Sequence, residues 1–176
     1  MEYKDLIIDC IGGKHKAQKK LFEIFAPKML TVCLRYAKNK MQAEDMLQEG
    51  MIKVFHKLND YKQEGSFEGW IRKVVVNTCL DALRKEAKHQ MHSDITEVDY
   101  MVSTNDYLLE GLMAEDLILL IQTLPTGYRT VFNLYALEGY SHKEIADQLG
   151  ITESTSKSQY SRAKVFLQEK LNNERK

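Results

Sequence analysis

Apolar residues recur at every third or fourth position along most of this chain, and no stretch alternates strictly. The pattern therefore predicts helices almost throughout. Leu21, Phe25, Met29, Val32 and Tyr36 form a first stripe, in which Pro27 marks a kink or a restart. Leu47, Met51, Val54, Phe55 and Leu58 form a second, starting near Met41-Gln42 and ending at Asn59-Asp60. A polar loop follows, and Ser66 is placed to cap a third helix running through Phe67, Trp70, Ile71, Val74, Val75 and Thr78 to about Glu86. The β-branched run Val74-Val75-Val76 alone would suit a strand, but it sits inside a helical repeat and reads as helix.

From about His89 to Asn105 the periodicity stops, and Ser, Thr, Asp and Asn accumulate as in a linker. Helical pattern returns with Leu108, Leu112, Leu117, Leu120 and Ile121, and breaks at Leu124-Pro125. It resumes through Tyr128, Val131, Phe132 and Tyr135 and ends at Gly139. The expectation is an all-α chain of two small helical domains, residues 1–90 and 112–176, joined by a flexible linker over 91–111.

The stretch from Gly139 to Thr155 reads as two helix starts around a glycine-marked turn, the sequence form of a helix-turn-helix. Ser141 and Glu144 have capping-box spacing. Ile145, Ala146 and Leu149 share a face, and Ala146 lets a second helix cross close by. Gly150 suits the left-handed position after a helix, and Thr152 can cap the next one. That next helix carries Ser154, Thr155, Lys157, Ser158, Gln159, Arg162 and Lys164, short polar and cationic groups suited to a DNA groove.

A net charge of zero looks wrong for a DNA binder until the charge is located. Residues 1–90 carry +5, residues 91–118 carry −7 with no Lys or Arg, and residues 119–176 carry +2. Two cationic ends flank an acidic middle, a pattern that says more about partners than the average does. No apolar run approaches the length of a membrane span, and the first residues lack a secretory pattern, so a cytoplasmic protein is expected. Cys10, Cys33 and Cys79 are odd in number and lie in apolar helical patterns, which predicts reduced core thiols. The histidines do not join cysteines or carboxylates at metal-ligand spacing, so no metal and no cofactor is expected.

Three further constellations carry candidate chemistry. Glu44, Asp45, Gln48 and Glu49 make an acidic, amide-bearing patch on one helical face, either an ordinary solvated face or a docking surface. The loop from Tyr61 to Ser66 offers a ring, a cation, amides and flexibility. Those parts serve a tyrosine lid on the core, or equally a pocket that holds an unstacked base. On the following helix Arg72, Lys73, Asn77, Arg84 and Lys85 can face phosphates, while Trp70 matches the apolar stripe. Asn77 has poor helix propensity, which a polar contact would explain.

With these residues assembled, the chain resembles the small sigma factors of bacterial RNA polymerase, the extracytoplasmic-function group that keeps only regions two and four. The resemblance spans roughly residues 15–90 and 112–172. Gln42-Ala43-Glu44-Asp45-Met46-Leu47-Gln48-Glu49 resembles the family's core-binding helix. Ser66-Phe67-Glu68-Gly69-Trp70-Ile71, Val76-Asn77 and Asp81-Ala82-Leu83-Arg84-Lys85 resemble its promoter-melting helix. Leu124-Pro125, Gly139-Tyr140, Glu144-Ile145-Ala146 and Ser161-Arg162-Ala163-Lys164 resemble region four.

The resemblance implies a non-enzymatic subunit that directs promoter-specific initiation. Its implied partners are core RNA polymerase (the β-prime clamp and the β flap), promoter DNA, and an anti-sigma factor or other recruiting regulator, with no membrane. Gln42, Glu44, Asp45, Leu47, Gln48, Glu49 and Met51 are then the residues for the polymerase. Tyr61, Lys62, Gln63, Ser66, Trp70, Arg72, Lys73, Asn77, Arg84 and Lys85 are those for the unwound upstream element. Ser141, Ser154, Thr155, Lys157, Ser158, Gln159, Arg162 and Lys164 are those for duplex DNA. Two departures stand out: Ser156 occupies a position where many helix-turn-helix sequences carry a branched apolar residue, and Gln159 one where relatives often carry arginine. The acidic linker would be a solvating spacer or an anionic stand-in for RNA. The rival reading is a stand-alone helix-turn-helix regulator, which leaves the Gln42–Glu49 patch unexplained. An enzyme would need a phosphate loop or a nucleophile-base constellation, and none is present in the sequence.

Overall fold

The computed structural model of the chain describes residues 3–90 and 114–174. Every regular element among them is helical, the class that the periodicity predicts. The chain divides into two compact units, Met1–Asp94 and Ile95–Lys176. The acidic linker expected over 91–111 lies outside the described residues.

The first unit holds α1 (Lys4–Ile11), α2 (His15–Tyr36), α3 (Lys40–His56), a single 3-10 turn at Leu58–Asp60, and α4 (Phe67–Gln90). Leu21, Phe25, Met29, Val32 and Tyr36 are all buried, as their spacing requires. They meet Met46, Leu47, Met51, Val54 and Leu58 from α3 and its turn, and Ile71, Val75, Val76, Cys79, Leu80 and Leu83 from α4. Each such large apolar side chain stabilises the fold by about 1.5–3 kcal/mol. Where α3 passes α4, Gly50 allows the approach: a Cβ there would stand 3.2 Å from Cγ2 of Val75.

Pro27 does not restart the chain, because α2 runs unbroken through it. Proline removes one backbone hydrogen bond, and the buried stripe on both sides of it outweighs that loss. Asn39 caps α3 by accepting from the Gln42 amide at 2.9 Å. Ser66 caps α4 by accepting from Gly69 at 3.0 Å, as predicted. The three cysteines are free and buried, and Cys79 lies 3.8 Å from Cys33, sulfur to sulfur. That hydrogen bond, with burial, pushes the Cys79 thiol well above its ordinary range.

The second unit is built from α5 (Ala114–Gln122), α6 (Thr126–Phe132), a wide π turn at Asn133–Leu137, α7 (His142–Leu149) and α8 (Glu153–Glu174). Leu120, Ile121, Leu124, Phe132, Ala163, Leu167 and Leu171 make its core, against which Tyr128, Leu137, Tyr160 and Phe166 pack. Periodicity predicted one helix from Tyr128 to Gly139. The chain instead widens after Phe132, with Glu138 donating to the Asn133 carbonyl at 3.0 Å.

Candidate nucleic-acid interface

On α3 the solvent side is a stripe of Met41, Asp45, Gln48 and Ile52, positions that fall within a narrow arc of one helical face. Met41 is 71% exposed and Ile52 57%, large apolar side chains set among an acid and an amide. Sequence reasoning missed both, although their i, i+4, i+7, i+11 register with Asp45 and Gln48 was available to it. Glu44 is exposed beside them, 3.8 Å from Lys40.

The other residues proposed for the polymerase do different work. Leu47 and Met51 are buried in the core, as their place in the apolar stripe requires, and hold the helix from within. Gln42 joins α3 to its neighbours: its Oε1 accepts from the Lys38 amide at 2.7 Å and its Nε2 donates to Glu86 at 3.1 Å. Glu49 pairs with Lys53 at 3.2 Å and Lys85 at 3.9 Å. Lys53 also reaches Asp81, which accepts from Arg84 at 2.8 Å. Arg84 and Lys85, expected to face phosphates, thus each have a carboxylate beside them.

Between α3 and α4 the loop folds over an aromatic cluster. Phe67 is its buried hub, with Tyr61 at 5.0 Å, Phe25 at 5.5 Å, Trp70 at 5.9 Å and Tyr3 at 6.0 Å between ring centroids. The Tyr61 hydroxyl donates to the Gly65 carbonyl at 3.1 Å and closes the loop on itself. Gln63 has φ 63°, a left-handed conformation that a non-glycine residue seldom adopts and that costs about 1 kcal/mol or more. Such strain gathers at ligand clamps. A cleft of about 540 Å³ opens here, lined by Tyr61, Gln63, Gly65, Ser66, Phe67 and Arg72 together with α1.

Trp70 is half-buried in the aromatic cluster, between the core position its spacing suggests and the exposed one its proposed DNA role needs. It shares a second cavity of about 530 Å³ with Lys73 and Asn77, to which Lys53 and Lys57 add positive charge and Asp60 and Asp81 negative. The structure therefore splits the predicted set: Tyr61, Gln63, Ser66 and Arg72 on one cleft, Trp70, Lys73 and Asn77 on another. Lys62 is exposed on the loop and lines neither.

In the second unit the helix-turn-helix has the local chemistry its sequence announces. Ser141 and Glu144 form a complete capping box, Ser141 accepting from the Glu144 amide and Glu144 from the Ser141 amide. Gly150 sits at φ 67°, and the Ile151 amide reaches back to the Ala146 carbonyl at 3.1 Å, so α7 ends in a Schellman turn. Thr152 accepts from the Thr155 amide at 3.0 Å and starts α8.

Ser156 is fully buried where an apolar residue would be expected, and its hydroxyl lies 3.0 Å from Nδ1 of His142. The partner is supplied by the facing helix, and Tyr135 stacks on the same imidazole at 4.2 Å. Burial, then the charge of Lys157, lowers the His142 pKa from its ordinary value, against a smaller upward pull from Glu153. Ser154, Lys157 and Ser158 are exposed on α8, and Thr155 is half-buried. Lys157 pairs with Glu153 at 2.6 Å and holds that carboxyl below the usual carboxylate range. Gln159 is half-buried with its amide against Gly127 of α6, and Lys164 lies 5.1 Å from the Tyr160 ring centre. Among the described residues no cluster of metal-ligating side chains occurs, and no helix is long and apolar enough to cross a membrane.

An aromatic cleft under a strained loop in one helical unit, and a capped helix-turn-helix in the other, define a two-part helical protein with the parts for nucleic-acid recognition. The family models agree: "Sigma-70 region 2" matches residues 21–89, and "Sigma-70, region 4" matches residues 114–167. The ECF RNA polymerase sigma factor SigE of Mycolicibacterium smegmatis is 28% identical over 150 residues. The match takes in 83% of this chain and 58% of that longer protein. The RNA polymerase sigma-H factor of Pseudomonas aeruginosa is 24% identical, with 85% of each chain covered. The ECF RNA polymerase sigma factor SigW of Bacillus subtilis is 23% identical, over 90% of this chain and 91% of that one. The fold is similar to that of the sigma factor RpoE solved with the anti-sigma factor NepR from Bartonella quintana. The TM-score is 0.55 at 22% identity, covering 88% of this chain and 96% of that one. The chain belongs to the sigma-70 family, in its extracytoplasmic-function group.

Proposed function

We propose that this chain binds core RNA polymerase and directs it to promoters without catalysing a reaction itself. Working on the polymerase, it acts in the cytoplasm. The α3 stripe Met41, Asp45, Gln48 and Ile52, with Glu44 beside it, docks on the β-prime clamp. The apolar pair anchors the contact and the polar groups fix its register. The loop from Tyr61 to Ser66 holds a base of the unwound element, while Lys73 and Asn77 in the neighbouring cavity follow the strand. In the second unit Ser154, Lys157 and Ser158 meet duplex DNA, and Ser141, Arg162 and Lys164 steady the phosphates.

The observation that carries the reading is the cleft in which Tyr61 and Phe67 meet Gln63 in its left-handed conformation. Two small DNA-reading surfaces on one chain bind weakly alone and strongly once a polymerase fixes their spacing. An anti-sigma factor covering these surfaces when promoters must stay silent completes the scheme. Gel filtration of the chain with purified core polymerase tests it: the account expects a complex with promoter affinity that neither component has. A free chain that binds one operator tightly and ignores the polymerase would instead establish the stand-alone regulator.

A further inference from the structure

The base-capturing reading rests on the loop, yet the cleft has another wall that the loop does not supply. Tyr3, Lys4 and Ile7, at the start of α1, line the same cavity as Tyr61, Gln63 and Arg72. Tyr3 is held there from two sides, with its ring edge-on to Phe25 at 5.3 Å and tilted against Phe67 at 6.0 Å. Tyr61 meets the same Phe67 ring at 5.0 Å. Two tyrosines thus flank one buried phenylalanine, and both border the cleft. Lys4 is exposed at its rim and Arg72 half-buried in its lining, two cations beside a space in the size range of small-molecule sites. The only carboxylate in the lining, Glu68, is engaged by Lys28 at 2.5 Å.

We infer that α1 is part of the promoter-reading surface: Tyr3 supplies a stacking face for the captured single-stranded base, and Lys4 a cation for its phosphate. The inference rests on the proposed role of the Tyr61–Ser66 loop and adds a base-stacking residue outside it. Stacking between a base and an aromatic ring is tolerant of sequence, while hydrogen bonds from Gln63 and the loop backbone select the base. Closing the cleft from α1 keeps water from the base, which strengthens those bonds.

Holoenzyme reconstituted with the full chain is titrated with forked promoter DNA, built on a start site mapped with this protein. An abasic site is placed in turn at each non-template position of the unwound element. With the wild-type chain one position shows a loss of about tenfold or more when its base is removed. Tyr3→Leu keeps an apolar contact with Phe25 but has no ring. It binds intact DNA more weakly, and its abasic penalty at that one position falls to about a third of the wild-type value. Tyr3→Phe restores the penalty, and Lys4→Gln weakens binding to every fork alike and flattens the salt dependence. Equal abasic penalties for Tyr3→Leu and wild type, with a reduced penalty for Tyr61→Leu, would overturn the role of α1 and leave the loop standing. Equal penalties for Tyr61→Leu as well would remove the loop reading itself.

Discussion

Ser156 and His142 provide the sharpest test of how this helix-turn-helix is held together. The Ser156 hydroxyl is fully buried and 3.0 Å from Nδ1 of His142. A net hydrogen bond of this kind contributes about 1 kcal/mol. Ser156→Ala loses that bond, but alanine is the better helix former by roughly 0.5 kcal/mol, so the single variant should cost only about 0.5 kcal/mol. His142→Ala loses the same bond and also the stack on Tyr135, worth about 0.5–1.5 kcal/mol beyond burial. The double variant loses the bond once. Its cost should therefore fall short of the summed single costs by about 1 kcal/mol. Hydrogen exchange of α7 and α8 amides in the full-length chain gives the opening free energy of this unit directly. Single costs that add to within about 0.3 kcal/mol would show that the contact is incidental and that Ser156 is merely tolerated.

Three other outcomes follow from the same geometry. His142 is the only histidine in residues 95–176, and its pKa is lowered on folding, so the unfolded state binds more protons as acid is added. The second unit should keep this stability above about pH 6.5 and lose it as the pH falls further, an acid sensitivity that His142→Gln removes in exchange measurements on either side of that pH. Gly150→Ala places a side chain at φ 67° and should cost about 1–2 kcal/mol in thermal unfolding, with α7 and α8 otherwise intact. Ile52→Asp, on the exposed α3 stripe, should leave the melting temperature of the first unit nearly unchanged yet weaken core-polymerase binding about tenfold or more by gel-shift titration; unaltered binding would move the docking surface elsewhere.

Much of this protein is legible in its sequence. The stripes of α2, α3 and α4 emerged because each buries one continuous face, and the caps at Ser66, Ser141, Gly150 and Thr152 emerged because capping is local chemistry. What escaped depended on residues distant in sequence. The eight-residue α1 gives too short a periodic signal, and its importance comes from the Phe25 and Phe67 rings it meets. Met41 and Ile52 look like core residues until the helix face is fixed, while Leu47 and Met51 are buried as their place in the apolar stripe requires. Ser156 reads only as a departure from the usual pattern because its partner, His142, stands fourteen residues away across the turn. Trp70 resisted a simple assignment since one ring belongs both to the aromatic cluster and to a surface cavity.

The central claim is that two small helical units together give a polymerase its address. Mapping of transcription start sites in vitro, with core enzyme alone and with core enzyme plus this chain, examines that claim most directly. The account predicts new start sites that share upstream sequence elements at a constant spacing and that disappear when the chain is withheld. An identical set of starts in both reactions, with no polymerase complex formed, would contradict it.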